Sequence, residues 1–322
     1  MARFLLNRLL QSAGVLLVMS FVIYGLIGLM PGDPIDLMIT ADPKITAADA
    51  AHLRELYGLD KPILERYGNW LGAAVSGDFG FSRLHARPVL EVMGPAMGNT
   101  VILLGLSFVL ALMIALPLGV VAAMRARSGL DYGINMVAFA GISVPPFWLA
   151  LMLIIIFAVV LGWLPAGGTA AAAGTEGAWE SLRYLVLPVA SLTFASIGAH
   201  TRYMRASMVE ALRQDYIRTA RAKGLSEGQI VLGHALRNAL IPVTTVIALD
   251  FGYLFSGALI TETIFSYPGM GKLIFDAIMG NDFNLALIAL LFATALTLMG
   301  NFLADVAYTA LDRRITLAEV DQ

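Results

Sequence analysis

The segment Gly269-Met-Gly-Lys-Leu-Ile274 comes closer than the rest of the sequence to a phosphate-binding loop. Such a loop follows G-x-x-x-x-G-K-[S/T], where backbone amides surround the phosphates and the last residue contacts the metal ion. Here Ser266 stands in the place of the first glycine, and Leu273 follows Lys272. The chain therefore lacks this device for binding ATP, and any ATP-driven work must come from a partner.

Other reactive side chains are sparse. The sequence contains no cysteine, and its four histidines show no H-x-x-x-H or comparable ligand spacing. We therefore predict no disulfide, no metal site and no bound cofactor. No nucleophile–base constellation is visible, so we predict no catalytic residue and no enzyme activity. A proton relay at His200 is not expected, because the sequence places no chain of carboxylates beside it.

Asp250 lies eight residues into an apolar stretch. An ionisable group inside such a stretch is costly, and it usually faces a polar cavity or a partner. Asp250 is therefore a candidate for lining a pathway. The alternatives are that it accepts hydrogen bonds from a neighbouring helix or that it is protonated.

The whole sequence is strongly apolar. Of its 322 residues, 58% are hydrophobic and 14% are charged, whereas soluble domains carry about 25% charged residues. A helix needs about 20 apolar residues to cross the hydrocarbon core. We predict an all-α polytopic membrane protein with six transmembrane helices, at Leu9–Met30, Thr100–Met124, Ile134–Leu161, Leu185–Met204, Val243–Thr261 and Leu285–Ala310.

Two of these spans have special features. The first is longer than the apolar region of a signal peptide, and no small-residue cleavage site follows it, so it is expected to be retained. The third contains Pro145-Pro146, which must kink or split it. A bend and a hinge for movement are both consistent with that pair.

The distribution of Lys and Arg predicts the orientation. With the N-terminus inside, the inner side carries thirteen basic residues, and the two short outer loops carry only Arg183 and Lys272. The remaining six lie in the 69-residue loop 31–99, and loops longer than about 60 residues contribute little to the rule. Both termini are therefore predicted to be cytoplasmic. The net charge of −2 gives no indication of nucleic-acid binding, and none is expected.

The long outer loop has helical signals. Thr46-Ala-Ala-Asp49 is a capping box ahead of a helix to about Tyr57, and Asp60 can cap a second helix near Pro62–Ala74. Gly77-Asp-Phe-Gly80 is a turn. We interpret this region as an extracytoplasmic helical cap or a spacer packed on the outer face. The Ala- and Gly-rich segment 166–177 is predicted to be a loose loop.

The charged segment Arg213–Arg237 interrupts the apolar sequence. Val209–Ala222 favours a helix, which Gly224 ends at a position that tolerates left-handed φ. Ser226 then caps a second helix, Glu227–Leu240, with Gln229 completing a near capping box. Pro242 is expected to open the fifth span. A compact basic pair of helices joined by a glycine suits a cytosolic partner that has an acidic and apolar groove. The alternative is inner-side positive charge without a docking role.

Three stretches together resemble one protein family. The stretch "YIRTARAKGL…HALRNALIP" is similar to the cytoplasmic loop of permeases from binding-protein-dependent ABC importers of the dipeptide/oligopeptide group. "GLDKPILERYGNWLGAAVSGDFGFS" resembles that group's external region. "TETIFSYPGMGKLIFDAIMGNDF" resembles its segment between the last two spans. The general Glu-Ala-Ala-x-x-x-Gly pattern is incomplete here, because Arg218-Thr219-Ala220 precede Gly224.

The resemblance implies a type I ABC importer transmembrane domain. It implies that Arg218, Thr219, Ala220, Lys223 and Gly224 couple the chain to an ATPase. The implied partners are a second permease subunit, two cytosolic ATP-binding subunits and an extracytoplasmic substrate-binding protein, in a bacterial cytoplasmic membrane. Residues 1–99 would form the first transmembrane helix with the helical cap, and 100–322 a five-helix permease core with a coupling loop at 205–242. Asp250 would then meet a peptide amino terminus.

The function implied is inward peptide transport by alternating access, driven by ATP hydrolysis in the partner subunits. Importers of nickel and of oligosaccharides share the same resemblance. An ion-coupled secondary transporter would need charged relays near the midplane, where Asp250 alone qualifies. A membrane scaffold or receptor for a cytosolic protein would show no solute flux with all partners present.

Overall fold

The computed structural model describes residues 2–29, 61–175 and 177–311, but not the side chains of residues 2–5, 248–249, 251–257, 304–305 and 307–311. The predicted capping box at Thr46–Asp49 and the predicted cap Asp60 lie outside these residues. The described helices are α1 (Ala2–Gly28), α2 (Ile63–Val75), α3 (Val89–Met124), α4 (Gly129–Ser143), α5 (Pro146–Leu153), α6 (Ala178–Ala211), α7 (Asp215–Ala222), α8 (Glu227–Gln229), α9 (Leu236–Ile264), α10 (Met270–Met279) and α11 (Phe283–Leu311).

Short irregular elements complete the described chain. Strands β1 (Phe81–Ser82) and β2 (Arg87–Pro88) pair as an antiparallel hairpin. Two π-helical segments, Ile154–Val160 and Ile230–Ala235, continue α5 and join α8 to α9. The part of the chain that the structure describes is therefore all-α apart from this hairpin, as the sequence predicts.

The described helices are long and apolar enough to cross a membrane five times, or six times if one bent pair counts as a single span. The bent pair joins Gly129–Ser143 to Pro146–Val160 at an angle of 101°. The higher count agrees with the six predicted spans, and α3 begins at Val89, eleven residues before the predicted start at Thr100.

The bend in the third span follows from its proline pair. Val144 is extended (φ −79°, ψ 124°), because a residue that precedes proline is disfavoured in the helical region. Pro145 then caps α5, and Pro146 occupies its first turn, where a missing N–H costs nothing. Pro145-Pro146 therefore ends one helix and starts the next.

Side chains of α1, α3, α10 and α11 form one apolar cluster, which includes Ile23, Val89, Met270 and Leu285. A second cluster, at the opposite end of the bundle, joins the ends of α3 and α6 to α7 and to the start of α9. The two clusters hold the bundle at both ends.

Helices α4 and α6 approach closely at Gly198. A Cβ there would lie 2.3 Å from the carbonyl oxygen of Ala138, so only glycine allows this contact. The same pair of helices is joined by an ion pair, in which Arg205 donates from Nε and Nη2 to the two oxygens of Asp131, at 2.6 Å each. Asp131 is almost fully buried and also accepts from Asn135 and from the Arg127 amide. This buried ion pair fixes α4 against α6.

Helix α2 lies against α1 through an aromatic cluster. Tyr67 stacks on Trp70 and meets the edge of Phe21, and its hydroxyl lies 2.7 Å from Ser20 Oγ. The predicted second helix of the outer loop is thus confirmed, one residue later than expected at each end. Gly77 and Gly80 both have positive φ, which confirms the predicted turn.

Three predictions need correction. The segment 166–177 is not loose where it is described: Gly168 donates to the Phe265 carbonyl (2.7 Å) and Ala170 is buried. The predicted helix Val209–Ala222 is broken, because α6 ends at Ala211 and a turn precedes α7. Pro242 does not open the fifth span but lies inside α9.

Candidate functional site

A helical elbow stands at the end of the bundle that carries the second apolar cluster. We define the elbow as α7, the connecting residues 223–226 and α8. Gly224 has φ +78° and directly follows Lys223, the C-cap residue of α7. Its amide donates to the Arg221 carbonyl (2.9 Å). Apart from its chain neighbours, no described residue has an atom within 4 Å of a Cβ built there, so glycine is required for its backbone conformation and not for space.

The start of α8, on the C-terminal side of Gly224, has the predicted N-cap. Ser226 Oγ accepts from the Gln229 amide, and the Gln229 side chain accepts from the Ser226 amide (3.0 Å), which completes a capping box. Arg221 Nε donates to Glu227 Oε1 (2.9 Å), across the glycine. This hydrogen bond raises the pKa of Arg221. The angle between the two short helices is therefore held by local contacts.

The elbow is mounted on the bundle through one face of α7. Ile217 is fully buried and Ala220 is 4% exposed, and both belong to the cluster that contains Met204, Met208 and Ile230. Because α7 buries two side chains three residues apart, it cannot rotate without leaving the bundle. Movement of the elbow relative to the bundle would therefore break its contacts with side chains of α6 and with the start of α9.

The structure brings the five predicted coupling residues together in this elbow. Arg218, Thr219, Lys223 and Gly224 are exposed, and Arg218 pairs with Asp215 at 3.3 Å. Ala220 differs from the other four, because its side chain faces the apolar cluster. It can position the elbow but cannot contact a partner while α7 stays in place.

Asp250 lies elsewhere, at the midpoint of α9. Its Oδ2 lies 3.2 Å from Nε2 of His200 on α6, and the His200 side chain is 5% exposed while that of Asp250 is 39% exposed. Sequence analysis missed this pair: it expected no chain of carboxylates beside His200, and the structure places the single carboxyl group of Asp250 there. The two residues are fifty positions apart, so no local spacing could reveal the contact.

Another carboxyl group, that of the fully buried Glu262, also escaped sequence analysis. Thr100 Oγ1 donates to Glu262 Oε1 (2.6 Å), and the Lys272 amide donates to Glu262 Oε2 (3.1 Å). The Met270 amide donates to Thr100 Oγ1 (2.8 Å). Glu262 thus links the start of α10 to α9 and α3. One sequence feature could have indicated the buried Glu262: it is an acidic residue a few positions before the turn Tyr267-Pro-Gly-Met-Gly271.

The Tyr267–Gly271 turn wraps around this carboxyl group. A Cβ at Gly269 would lie 2.3 Å from Glu262 Cδ, and one at Gly271 would lie 2.4 Å from Leu259 Cα. Burial raises the pKa of Tyr267 to about 12, with a further contribution from Glu262. Tyr267 therefore keeps its hydroxyl proton, which it donates to the Asn99 carbonyl (3.3 Å).

The bundle and its elbow define a class of protein, the membrane-spanning subunit of a transporter. A solved structure titled "Crystal structure of an amino acid ABC transporter with histidines" has the same fold. Its TM-score is 0.51 at 13% sequence identity, and the match covers 70% of this chain and 94% of that chain. The fold is thus that of a type I ABC importer transmembrane domain, as the resemblance implies.

The chain belongs to the family described as "Binding-protein-dependent transport system inner membrane component", which it matches over residues 115–317. Residues 1–98 match the N-terminal region of such membrane components. It is therefore a multi-pass membrane protein and a transport permease.

Similar proteins include the "Oligopeptide transport system permease protein AppB" of Bacillus subtilis (strain 168), at 39% identity. The "Putative peptide permease protein BRA0408/BS1330_II0405" of Brucella suis biovar 1 is also 39% identical. The "Dipeptide transport system permease protein DppB" of Alkalihalophilus pseudofirmus is 36% identical. Each match covers 98% of this chain and 99% of the relative.

Proposed function

We propose that this chain is one of two permease subunits in an ATP-driven importer that moves peptides across the bacterial cytoplasmic membrane. Two cytosolic subunits bind and hydrolyse ATP, and an extracytoplasmic protein delivers the peptide. The second permease is a homologous but different chain. ATP binding closes the ATPase pair, the elbow moves with it, and the bundle opens outward; hydrolysis resets it.

The mounting of the elbow is the observation that carries this proposal. One face of α7 is buried in the apolar cluster, while Arg218, Thr219 and Lys223 remain exposed on the other side. A cytosolic subunit that grips the exposed face would therefore pull on α6 and α9. This is what a chain without its own nucleotide loop needs in order to use ATP.

The charge distribution supports placing the elbow in the cytoplasm. The elbow shares its end of the bundle with the α3–α4 connection, which carries Arg125 and Arg127, and short cytoplasmic loops are rich in Lys and Arg. Both termini then lie on the cytoplasmic side. We keep the division into residues 1–99, with the first span and outer cap, and 100–322, with the permease core.

The named relatives support peptides as the substrate class, because the three relatives reported above are called oligopeptide, peptide or dipeptide permeases. Nickel, oligosaccharides and ion-coupled transport receive no such support. ATP-driven uptake of radiolabelled dialanine into proteoliposomes that contain all partners tests this assignment. Uptake that is driven by an ion gradient without the ATPase subunits would contradict it.

Reversal of one exposed charge tests the coupling role. We expect Arg218→Glu to reduce co-purification of the ATPase subunits at least tenfold, because the like charge would meet an acidic groove. Arg125→Glu is the matched control, since Arg125 is exposed at the same end of the bundle but outside the elbow. Equal retention of the ATPase by both variants would refute the assignment.

A further inference from the structure

The contact between His200 and Asp250 holds a proton whose presence follows from hydrogen-bond chemistry. Nδ1 of His200 lies 2.9 Å from the carbonyl oxygen of Ser196. A carbonyl oxygen can only accept, so Nδ1 carries the hydrogen. Nε2 is buried and makes no aligned hydrogen bond to any residue that the structure describes, although Asp250 Oδ2 lies 3.2 Å away.

At 3.2 Å, an unprotonated Nε2 and a carboxylate oxygen would repel each other even without good alignment. Either Nε2 is protonated and faces a carboxylate, or Nε2 has its lone pair and faces a protonated carboxyl group. In both cases the pair holds one proton more than a neutral imidazole with a carboxylate. Its net charge is zero with that proton and −1 without it.

Among the described residues, Asp250 is the acidic group that contacts His200. Helix α3 presents the edge of the Phe108 ring, 6.1 Å away between ring centroids. Helix α5, which also packs on α6, has no ionisable residue. The other ionisable residues of the helices that pack on α6 are Glu91 of α3, Asp131 and Tyr132 of α4, and Arg237, Tyr253 and Glu262 of α9.

Several of these groups are already engaged. Asp131 is bound to Arg205, Glu262 is bound to Thr100, and Glu91 pairs with Arg87. On α6 itself, Arg202 lies over the ring of Phe139, 4.8 Å from its centroid.

The two members of the pair differ in access. His200 is closed off within the bundle, whereas 39% of the Asp250 side chain is exposed in the isolated chain. Exposing a carboxylate to lipid at the middle of a membrane helix is costly, because the charge would lose its hydration, so the exposed side of Asp250 faces a water-filled space or a partner. A cation arriving from that side can reach Asp250 without moving His200.

We propose that Asp250 binds the protonated amino group of the transported peptide, and that this binding releases the proton shared with His200 to water. One ammonium group enters and one proton leaves, so the site stays neutral. Without that release, two cations would share one carboxylate inside the membrane. This inference rests on the proposed function and adds the group of the substrate that the bundle recognises.

Proton counting on the assembled membrane complex tests the exchange. The permease pair with its ATPase subunits is placed in nanodiscs, without the soluble binding protein. Calorimetric titration with dialanine in phosphate and in Tris, whose ionisation heats differ, gives the number of protons released. We expect about one proton per dialanine bound, weaker binding as the pH falls, and no proton release with N-acetyldialanine.

Two variants separate the roles of the pair. Asp250→Asn should weaken dialanine binding at least tenfold. His200→Gln should retain binding but release no proton, and its affinity should no longer depend on pH, because glutamine can donate to Asp250 without titrating. Proton release by His200→Gln equal to wild type, or unchanged binding by Asp250→Asn, would overturn the proposal.

The same preparations distinguish the remaining explanations. Loss of the second permease from the Asp250→Asn complex would make Asp250 a subunit contact and overturn the proposal. ATP-driven uptake of dialanine is measured in parallel. If the wild-type complex takes up dialanine and both variants take it up equally well, the amine site is refuted but the peptide assignment stands. If the wild-type complex takes up no dialanine, the peptide assignment itself is refuted.

Discussion

Glu262 and Gly269 show how a single residue type can decide the local structure. The carboxyl group fills the space where a side chain at position 269 would lie, and it holds α10 to α9 and α3. The glycines of the Tyr267–Gly271 turn are therefore required by packing. Packing alone explains these glycines, and no phosphate-binding role is needed to account for the Gly271-Lys272 pair.

At this scale we predict that Gly269→Ala destabilises the protein. The added Cβ would lie 2.3 Å from Glu262 Cδ, and forcing an extra carbon into a packed site costs about 1–3 kcal/mol. Thermal unfolding in detergent measures the effect as a lower Tm. Gly68→Ala is the control, because a Cβ on that α2 residue would meet no atom within 4 Å among the described residues outside the adjacent backbone of its own helix. Equal Tm values for both variants would show that the turn can move away from Glu262.

At the scale of elements, α7 combines a mounting face and an exposed face in eight residues. Ala220 belongs to the first and Ala222 to the second. The same substitution at these two positions therefore separates attachment to the bundle from contact with a partner.

We predict that Ala220→Arg detaches α7 from the bundle, whereas Ala222→Arg leaves it in place. An arginine at position 220 overfills the apolar cluster and brings a charge into it. Limited proteolysis by trypsin should cut the Ala220→Arg elbow at least tenfold faster, measured at Arg213, Arg218 and Arg221, which all three proteins share. Similar cleavage of these sites in both variants would contradict the buried position of Ala220.

The connection between α5 and α6 and the elbow lie at opposite ends of α6. Since α6 is long enough to cross the membrane, these two regions are expected on opposite sides of it. The proposed orientation places the elbow in the cytoplasm.

The absence of cysteine from the sequence makes this orientation directly testable at the scale of the whole molecule. Single cysteines are introduced at Ala171, between α5 and α6, and at Ala222 in the elbow, both of which are exposed. In intact spheroplasts, a membrane-impermeant maleimide should label position 171 but not position 222. After permeabilisation both should react. Labelling of position 222 before permeabilisation would invert the proposed topology.

The elbow can be predicted closely because its signals are local. A glycine with positive φ and a Ser–Gln capping box are encoded within a few consecutive residues, and both are present as expected. The turn between α6 and α7 could not be predicted in the same way. Residues 209–222 all tolerate a helix, and it is the packing of Ile217 and Ala220 on the bundle that breaks it.

The sequence by itself determined the membrane class and the glycine elbow, because hydropathy and capping act between near neighbours in the chain. Only the tertiary structure decided that Ala220 faces inward, that Glu262 fills the Tyr267–Gly271 turn, and that His200 meets Asp250. These contacts join residues from different helices or from opposite faces of one helix. They depend on how the helices are rotated and packed, which local periodicity does not specify.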